Sequence, residues 1–400
     1  MKFRLFLLVI LLAGCAADPE KIYKPAPPTP VVSVSINWAH KLINLGADKY
    51  ARLLPAATAD HIFVADVDGN LTKFEAKTGK QLWQKSFAVA FSGGPNVQDN
   101  LLLVGSKSAE VFAISADTGD LIWKHSVSSE VLVPPQLSGT TVVVQTNDGK
   151  IFGLNTNSGD KIWVYDRNVP ILTLRGNSTP LIVEDQVIAG FASGKLISLA
   201  LNDGKLLWET SVSVPKGRTE LERLIDLDGP IVYDNGVVFV SAYRGRVAAV
   251  DVSSGRIIWT REMSSHLGAV VGDGYIYVTD SDGKVWALNR ESGATLWMQD
   301  KLNDLASTRP AIVGKNIVIG DFTGEVYWLD ISDGRLLGHL PHKRVSELSG
   351  ATLYVDEIED EEFFHTRRDA TSVIFQPLVS ESSIFITYQN GILASIARAD

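Results

Sequence analysis

The chain has 400 residues, of which 45% are hydrophobic and 21% are charged, and its formal net charge is −9 at pH 7. An acidic chain without a basic stripe interleaved with aromatic residues is a poor candidate for binding nucleic acid. The one cysteine, Cys15, excludes an intramolecular disulfide, and no apolar stretch after the first fifteen residues is long enough to span a membrane.

The N-terminal segment has the pattern of a secretory signal. Lys2 and Arg4 form a basic region, and residues 5–13 form an apolar region. The segment ends in Leu-Ala-Gly-Cys at 12–15, which resembles a bacterial lipobox, and this resemblance implies cleavage before Cys15 and lipid attachment to it. An ordinary secretory signal with an incidental cysteine is the alternative. Ala16, where an aspartate would favour the inner membrane, indicates export to the outer membrane by the sorting rule of such lipoproteins.

The next segment predicts a tether between the lipid and the folded body. Residues 15–32 contain five prolines, at positions 19, 25, 27, 28 and 30. Such a stretch is extended and weakly structured. We therefore expect a signal peptide at 1–14, a lipidated cysteine and tether at 15–32, and one folded domain at 33–400.

A repeated cassette organises that domain. The stretch Asp148–Trp163 predicts two short strands, each preceded by a tight turn, at Asp148-Gly149 and Ser158-Gly159. The closing tryptophan of the cassette recurs at Trp83, Trp123, Trp163, Trp208, Trp259 and Trp297, with spacings of 40, 40, 45, 51 and 38 residues. A repeat of short strands near 40 residues is typical of a β-propeller with one four-stranded blade per repeat. Each tryptophan is predicted to pack between adjacent blades rather than to stack on a ligand.

The two ends of the domain carry half a cassette each. A seventh copy contains Asp333-Gly334 but has Gly338 where the tryptophan is expected, and residues 389–396 form a first half with no tryptophan after it. Trp38, near the N-terminus, has no turn before it. These halves complement each other, so we predict an all-β fold, an eight-bladed β-propeller of four-stranded antiparallel blades whose N-terminal strand completes the last blade. A seven-bladed ring with a stray C-terminal hairpin is the alternative.

Three segments interrupt the repeat, and function is best sought in them because loops vary while a scaffold repeats. They are residues 170–176, 211–229 and 340–376. The last contains an acidic run at 356–362, which is either a solvated loop or a contact for a basic partner.

No catalytic or metal-binding constellation is visible. The seven histidines form no ligand set, and the serine-nucleophile and phosphate-loop motifs are missing. Asp226-x-Asp228 lacks the further oxygen ligands of an EF-hand calcium site. The sequence therefore shows no catalytic constellation, and we predict neither a cofactor nor a metal.

The cassette resembles the repeat of pyrroloquinoline-quinone enzymes and of their non-enzymatic relatives. The dehydrogenases typically carry a vicinal cysteine pair over the cofactor and acidic calcium ligands, and a chain with one cysteine departs from that pattern. A periplasmic quinoprotein dehydrogenase is therefore the alternative function. The order of lipobox, proline-containing tether, eight repeats and irregular loops resembles the BamB family of outer-membrane assembly lipoproteins over nearly the whole chain.

That resemblance implies a non-catalytic scaffold of the β-barrel assembly complex, anchored to the outer membrane and facing the periplasm. In that family a Leu-x-Leu-Arg stretch and an Asp-x-Asp loop form the surface that binds a POTRA domain of BamA, and the matching residues here are Leu172, Leu174, Arg175, Asp226 and Asp228. Strand packing for the leucines and an intramolecular salt bridge for the charged residues are the alternatives.

Two further hypotheses concern the partners of the protein. Exposed blade edges could add strands of nascent outer-membrane proteins by β-augmentation. A third hypothesis for the function of the whole chain, besides the assembly scaffold and the dehydrogenase, is a lipoprotein interaction module with some other partner.

Overall fold

Eight four-stranded antiparallel sheets form a ring of blades in this computed structural model. The structure describes residues 32–41, 52–167, 178–213, 225–227, 229–303, 305, 307–349, 372–373, 375–380 and 383–399. In each blade the first strand lies innermost, close to the first strands of its neighbours, and the fourth strand lies at the outer edge. The prediction of an all-β, eight-bladed propeller is confirmed.

The first four blades follow one another along the chain. Blade 1 consists of β2 (Ala56–Ala57), β3 (His61–Ala65), β4 (Asn70–Glu75) and β5 (Gln81–Ser86). Blade 2 consists of β6 (Phe91–Gln98), β7 (Leu101–Ser106), β8 (Glu110–Ser115) and β9 (Leu121–Ser126). Blade 3 consists of β10 (Gln136–Ser138), β11 (Thr141–Gln145), β12 (Ile151–Asn155) and β13 (Lys161–Tyr165). Blade 4 consists of β14 (Leu181–Val183), β15 (Gln186–Phe191), β16 (Lys195–Ala200) and β17 (Leu206–Ser211).

The remaining blades include the one that closes the ring. Blade 5 consists of β18 (Val232–Asp234), β19 (Val237–Ser241), β20 (Arg246–Asp251) and β21 (Ile257–Glu262). Blade 6 consists of β22 (Ala269–Gly272), β23 (Tyr275–Thr279), β24 (Val285–Asn289) and β25 (Thr295–Gln299). Blade 7 consists of β26 (Ala311–Val313), β27 (Asn316–Gly320), β28 (Val326–Asp330) and β29 (Leu336–Leu340), followed by helix α1 (His342–Ser349). Blade 8 consists of β30 (Leu378–Ser380), β31 (Ser383–Thr387), β32 (Ile392–Ala399) and, from the other end of the chain, β1 (Ser33–Lys41).

The core lies between the blades rather than at the centre of the ring. Strands β11 and β27 are buried at every position, because a second strand is covered on both faces by the neighbouring blades. The outer strand β13 buries only Trp163 fully and leaves most of its other side chains to solvent. The hydrophobic runs of the sequence are therefore second and third strands, and the alternating runs are fourth strands.

The N-terminal strand closes the ring. It pairs antiparallel with β32, from Ser33 opposite Ala399 to Lys41 opposite Ile392. The prediction that this strand completes the last blade is confirmed, and the alternative of a seven-bladed ring with a stray hairpin is wrong.

The seven cassette tryptophans lie on fourth strands and pack against the next blade, as predicted. Each indole Nε1 donates a hydrogen bond to a backbone carbonyl in the turn between the third and fourth strands of that blade. The donor and acceptor pairs are Trp38 with Ala76, Trp83 with Ala116, Trp123 with Thr156, Trp163 with Leu201, Trp208 with Val252, Trp259 with Arg290, and Trp297 with Ile331. The N–O distances lie between 2.7 and 3.3 Å.

A glycine in the same turn makes room for each indole. A Cβ added at Gly204 would lie 2.5 Å from Cε3 of Trp163, and one added at Gly159 would lie 2.6 Å from Cε3 of Trp123. Both glycines also have positive φ angles, of 69° and 75°. The glycine of one cassette and the tryptophan of the cassette before it thus form a single contact that repeats around the ring.

The interface between blades 7 and 8 uses a different arrangement. Gly338 occupies the position of the expected tryptophan, and the residue opposite it on β28 is Trp328, whereas in blade 3 the pair is Trp163 opposite Gly153. Trp328 is 1% exposed. An indole is therefore still present at this interface, but it belongs to the third strand, β28, instead of the fourth. Val32 covers Gly338 from the outside.

Candidate partner-binding face

The topology divides the turns and connections between two faces of the ring. In an antiparallel blade, the turn between the second and third strands and the connection from the fourth strand to the next blade emerge at the same end. We name this end the connection face. The opposite end, named the turn face, carries the remaining turns, including the cassette turns on which the tryptophans pack.

The connection face carries the long and irregular parts of the chain. Residues 42–55, 166–180, 212–231 and 341–377 lie between the fourth strand of one blade and the first strand of the next. The cassette turns of the turn face are short and closed by equivalent bonds, such as Gly159 N to Asn155 O at 2.8 Å and Gly204 N to Ala200 O at 2.9 Å. Since binding residues concentrate on variable loops that a rigid scaffold positions, the connection face is the candidate site.

Two of these connections flank blade 4 and contain the predicted partner-binding residues. Residues 166–180 lead from blade 3 into blade 4, and residues 212–231 lead from blade 4 into blade 5. Leu172, Leu174 and Arg175 lie outside the described residues, and so does Asp228. The described chain on either side of both gaps is nevertheless anchored on the same face, one connection on each side of a single blade.

Asp226 is a predicted partner-binding residue within the described part of the chain, and it is buried. Its exposed fraction is 0%, and its neighbours Ile225 and Leu227 are 5% and 2% exposed. The backbone N–H of Tyr243 donates to the carbonyl oxygen of Asp226 at 3.0 Å. Because two apolar neighbours draw this short segment into the core between blades 4 and 5, the carboxylate of Asp226 does not lie on the surface of this chain.

Charged and polar groups fix both ends of the connection into blade 4. Nη1 of Arg167 lies 2.6 Å from Oε2 of Glu209, and Lys195 pairs with the same carboxylate. The hydrogen bond from Lys195, reinforced by Arg167, holds the pKa of Glu209 below its usual range. At the far end, the buried Ser178 Oγ accepts a 2.8 Å hydrogen bond from Gly190 N. Both ends of the connection are therefore fastened to blade 4.

Three residues on this face were not singled out by the sequence analysis. Tyr243 and Arg244 form the turn between the second and third strands of blade 5, and the guanidinium carbon of Arg244 lies 5.5 Å from the centre of the Tyr243 ring. His266 meets the same ring edge-on at 6.4 Å. The available signal was the turn sequence, because Arg244 stands where the equivalent turns have Asp148 and Asp282.

Metal-ligand clusters and membrane-spanning helices are both missing from the described residues. Within them, no group of three or more His, Cys, Asp or Glu side chains is placed to hold a metal ion. None of the helices in that part of the chain is long and apolar enough to cross a membrane.

Sequence comparison identifies relatives along most of the chain. A family profile described as "Outer membrane protein assembly factor BamB" matches residues 67–299. The BamB of Pseudomonas aeruginosa is 42% identical over 337 residues, which cover 84% of this chain and 89% of the relative. The BamB of Legionella pneumophila is 36% identical and covers 99% of this chain and 100% of its own.

Structural comparison agrees with the sequence. The crystal structure of BamB from Moraxella catarrhalis matches with a TM-score of 0.77 and 25% identity, covering 91% of this chain and 100% of that one. A quinohemoprotein alcohol dehydrogenase from Pseudomonas putida HK5 matches with a TM-score of 0.67 but only 9% identity, so it shares the fold alone. The non-enzymatic reading is thus supported over the quinoprotein dehydrogenase alternative. The chain belongs to the BamB family of outer membrane protein assembly factors.

Proposed function

We propose that the protein is a non-catalytic scaffold of the outer-membrane β-barrel assembly complex, where it binds a POTRA domain of BamA and assists the folding and insertion of barrel proteins. Relatives at 42% and 36% identity carry the name of an outer membrane protein assembly factor. The main support for the location of the binding site is that the two faces of the ring differ. The turn face consists of short turns that pack against the tryptophans, whereas the connection face contains the long connections between blades.

The binding surface is the part of the connection face around blade 4. In the sequence, the apolar Leu172 and Leu174 stand beside the cation Arg175. This combination suits a modest interface in which charge sets the orientation of the partner. We assign direct contacts to Leu172, Leu174, Arg175 and Asp228. Asp226 takes a different role, because its burial lets it hold the second connection in place beneath the surface rather than touch the partner.

Charge reversal tests this assignment. Arg175→Glu and Asp228→Lys are compared with wild type by co-purification of BamA from detergent-solubilised membranes. Lys205→Glu is the matched control, because Lys205 lies on the turn face of the same blade, is 80% exposed and pairs with the exposed Asp203. We expect the first two variants to lose BamA and the control to retain it.

Two results would contradict the proposal. If Lys205→Glu released BamA as fully as Arg175→Glu, the site on the connection face would be wrong. If folded wild type did not retain BamA at all, the scaffold function itself would be wrong.

We further propose that residues 1–14 are removed and that Cys15 carries the lipid that anchors residues 33–400 to the outer membrane, on its periplasmic side, through the tether at 15–32. Stable membrane attachment needs more than one acyl chain, which a lipidated N-terminal cysteine provides. Cys15→Ala with the signal retained should move the protein from the membrane pellet to the soluble periplasmic fraction. Retention of that variant in the pellet after a high-salt wash would contradict the lipid anchor.

A second candidate activity, the binding of nascent outer-membrane strands, is favoured by the outer edges of the blades. The residues just before the cassette tryptophans are exposed aliphatics on several blades, with fractions of 51% for Ile122, 46% for Ile162 and 51% for Leu207. Each outer strand also has one unpaired edge, although a bulge beside the tryptophan, as between Gly153 and Leu154, limits how far a new strand can pair.

Site-specific crosslinking tests this candidate. A photoreactive residue at Ile122 or Ile162 should capture nascent barrel chains, and one at Gly236 on the turn face, where nothing packs, should not. Equal capture at all three positions, or capture at none, would contradict strand addition at the blade edges.

A further inference from the structure

A cavity opens into the central channel between the innermost strands of blades 1, 6, 7 and 8. Its volume is about 360 Å³, within the range of small-molecule sites of roughly 300–1,000 Å³. The side chains that line it are aliphatic apart from one glutamine, and they include Leu54, Val270, Val271, Ile312, Leu378 and Val379. Gln376 is the polar member of the lining.

A guanidinium is hydrogen-bonded to a side chain that lines this cavity. Nε of Arg309 donates to the carbonyl oxygen of Ala269 at 2.8 Å, and Nη1 donates to Oε1 of Gln376 at 2.9 Å. Ala269 directly precedes Val270 of the lining, and Gln376 belongs to the lining itself. Arg309 thus reaches from blade 7 to both neighbouring blades and holds the side chain of Gln376, which lines the cavity.

Within the described residues, the side chain of Arg309 is hydrogen-bonded but has no acidic partner. No Asp or Glu in the described part of the chain forms an ion pair with it, and its recorded acceptors are a backbone carbonyl and an amide. Burial, together with the positive charge of Arg52, lowers the pKa of Arg309 to about 10. The group therefore still carries its charge at neutral pH, and the positive charge of Arg52 acts on it as well.

We infer that the central channel is a binding site for a small aliphatic monocarboxylate, with its carboxylate on Arg309 and its hydrocarbon body in the cavity. Buried charges in proteins are normally paired, so a guanidinium that has no acidic partner among the described residues and lies next to an apolar cavity is complementary to an anion with an apolar body. Among the residues that line the cavity, Gln376 is the one polar side chain, so the lining side chains favour an aliphatic ligand over a sugar, a nucleotide or a polar peptide. This site is separate from the partner-binding surface around blade 4.

Titration calorimetry with butyrate, hexanoate and 1-hexanol tests the inference on the purified full-length protein. Each buried methylene should tighten binding about fourfold, so hexanoate should bind at least roughly tenfold more tightly than butyrate. Loss of the charge-assisted hydrogen bond in Arg309→Gln should weaken hexanoate binding by about tenfold or more and leave hexanol binding unchanged. Val379→Glu, which introduces a competing carboxylate into the cavity, should abolish hexanoate binding.

Arg335→Gln is the matched control, because Arg335 lies on the same blade at the turn face and is 66% exposed. The unfolding midpoint of each variant is measured alongside, and Arg309→Lys together with Val379→Glu carries the test if Arg309→Gln does not fold. Equal affinities for butyrate and hexanoate, hexanoate binding to Arg309→Gln at wild-type strength, or no hexanoate binding by wild type would each overturn the site.

Discussion

At the scale of single residues, the fold depends on a contact between one indole and one glycine that repeats between blades. The indole of Trp163 donates a 2.8 Å hydrogen bond to Leu201 and covers Gly204, and equivalent pairs hold six other interfaces. An aromatic side chain of this size contributes a large buried area, and its N–H finds a partner only if the neighbouring backbone approaches closely. Glycine permits that approach.

A pair of substitutions separates this packing from backbone strain. Gly204 and Gly236 both have positive φ angles, of 69° and 81°, but a Cβ at Gly204 would lie 2.5 Å from the Trp163 ring and a Cβ at Gly236 would meet nothing within 4 Å. Gly236→Ala should therefore cost about 1 kcal/mol from backbone conformation alone. Gly204→Ala should cost about 1–3 kcal/mol more, as overpacking does. Urea unfolding of both variants measures the difference, and equal costs would contradict the packing role.

Two buried titratable residues near the blade 7–8 interface respond to pH in opposite directions. Burial raises the pKa of Asp321 to about 6, against hydrogen bonds from Thr323, Glu325 and Tyr327 that lower it. The folded state therefore binds this proton more tightly than the unfolded state, whose pKa is near 3.8. The contribution of Asp321 to the free energy of unfolding falls as the pH rises from about 4 to 6.

Burial acts the other way on His342, which meets the ring of Tyr388 edge-on at 4.9 Å. It lowers the pKa of His342 to about 4, below the ordinary value of 6.5, so the unfolded state binds this proton more tightly. The contribution of His342 to the free energy of unfolding is therefore lost as the pH falls from about 6.5 to 4.

Variants separate the two groups. Relative to wild type, Asp321→Asn should become less stable as the pH is lowered from 6 to 5, and His342→Gln should become more stable over the same range, each by on the order of 1 kcal/mol per pH unit. Thermal or urea unfolding of wild type and both variants at pH 5, 6 and 7 measures these slopes. Parallel curves for wild type and variants would show that neither group titrates as described.

At the scale of elements, the closing strand has the largest structural consequence. Strand β1 covers the whole length of β32 and supplies Trp38 to the interface with blade 1. Without it, β32 would become the unpaired edge of a three-stranded blade, and the interface with blade 1 would lose Trp38.

Two truncations test the closure. A variant lacking residues 1–41 should be several kcal/mol less stable than one lacking residues 1–31 and should self-associate through the edge of β32. A synthetic peptide of residues 32–41 should restore the monomer and much of the stability. Urea unfolding and size-exclusion chromatography measure both effects. Equal stability of the two truncations, or no response to the peptide, would contradict closure by this strand.

Most of the fold could be predicted from the sequence because its determinants are local. A turn glycine such as Gly159 and a spacing such as that from Trp123 to Trp163 each indicate one blade. The half cassettes at Trp38 and at residues 389–396 indicate how the ring closes. The exchange of Trp328 and Gly338 was missed, because it depends on which residues face each other across two strands. A tryptophan ten positions before the expected one was the available signal.

The candidate site was less predictable than the fold. The sequence indicates where the repeat is interrupted, but burial depends on tertiary packing, and Asp226 is drawn inward by Ile225 and Leu227. Arg309 gave no sequence signal, because its importance depends on the cavity that other blades form beside it. The contacts assigned to Arg175 and Asp228 stay predictions.

At the scale of the whole molecule, the ring separates stability from recognition. The turn face contains the tryptophan contacts that hold the blades together, so its turns are short and alike. The connection face is free of that constraint and carries the chain segments that vary in length. A partner bound there would meet a rigid platform, which limits the ordering cost of binding to the connections themselves.

Amide hydrogen exchange with and without the purified POTRA domains of BamA tests this division most directly. The account predicts added protection at the connection face around blade 4, including Leu227 and Tyr243, and unchanged exchange at the cassette turns that contain Gly159 and Gly204. Protection at those turns or along the outer strands, or no change anywhere with the POTRA domains in excess, would contradict the central claim that the connection face binds BamA.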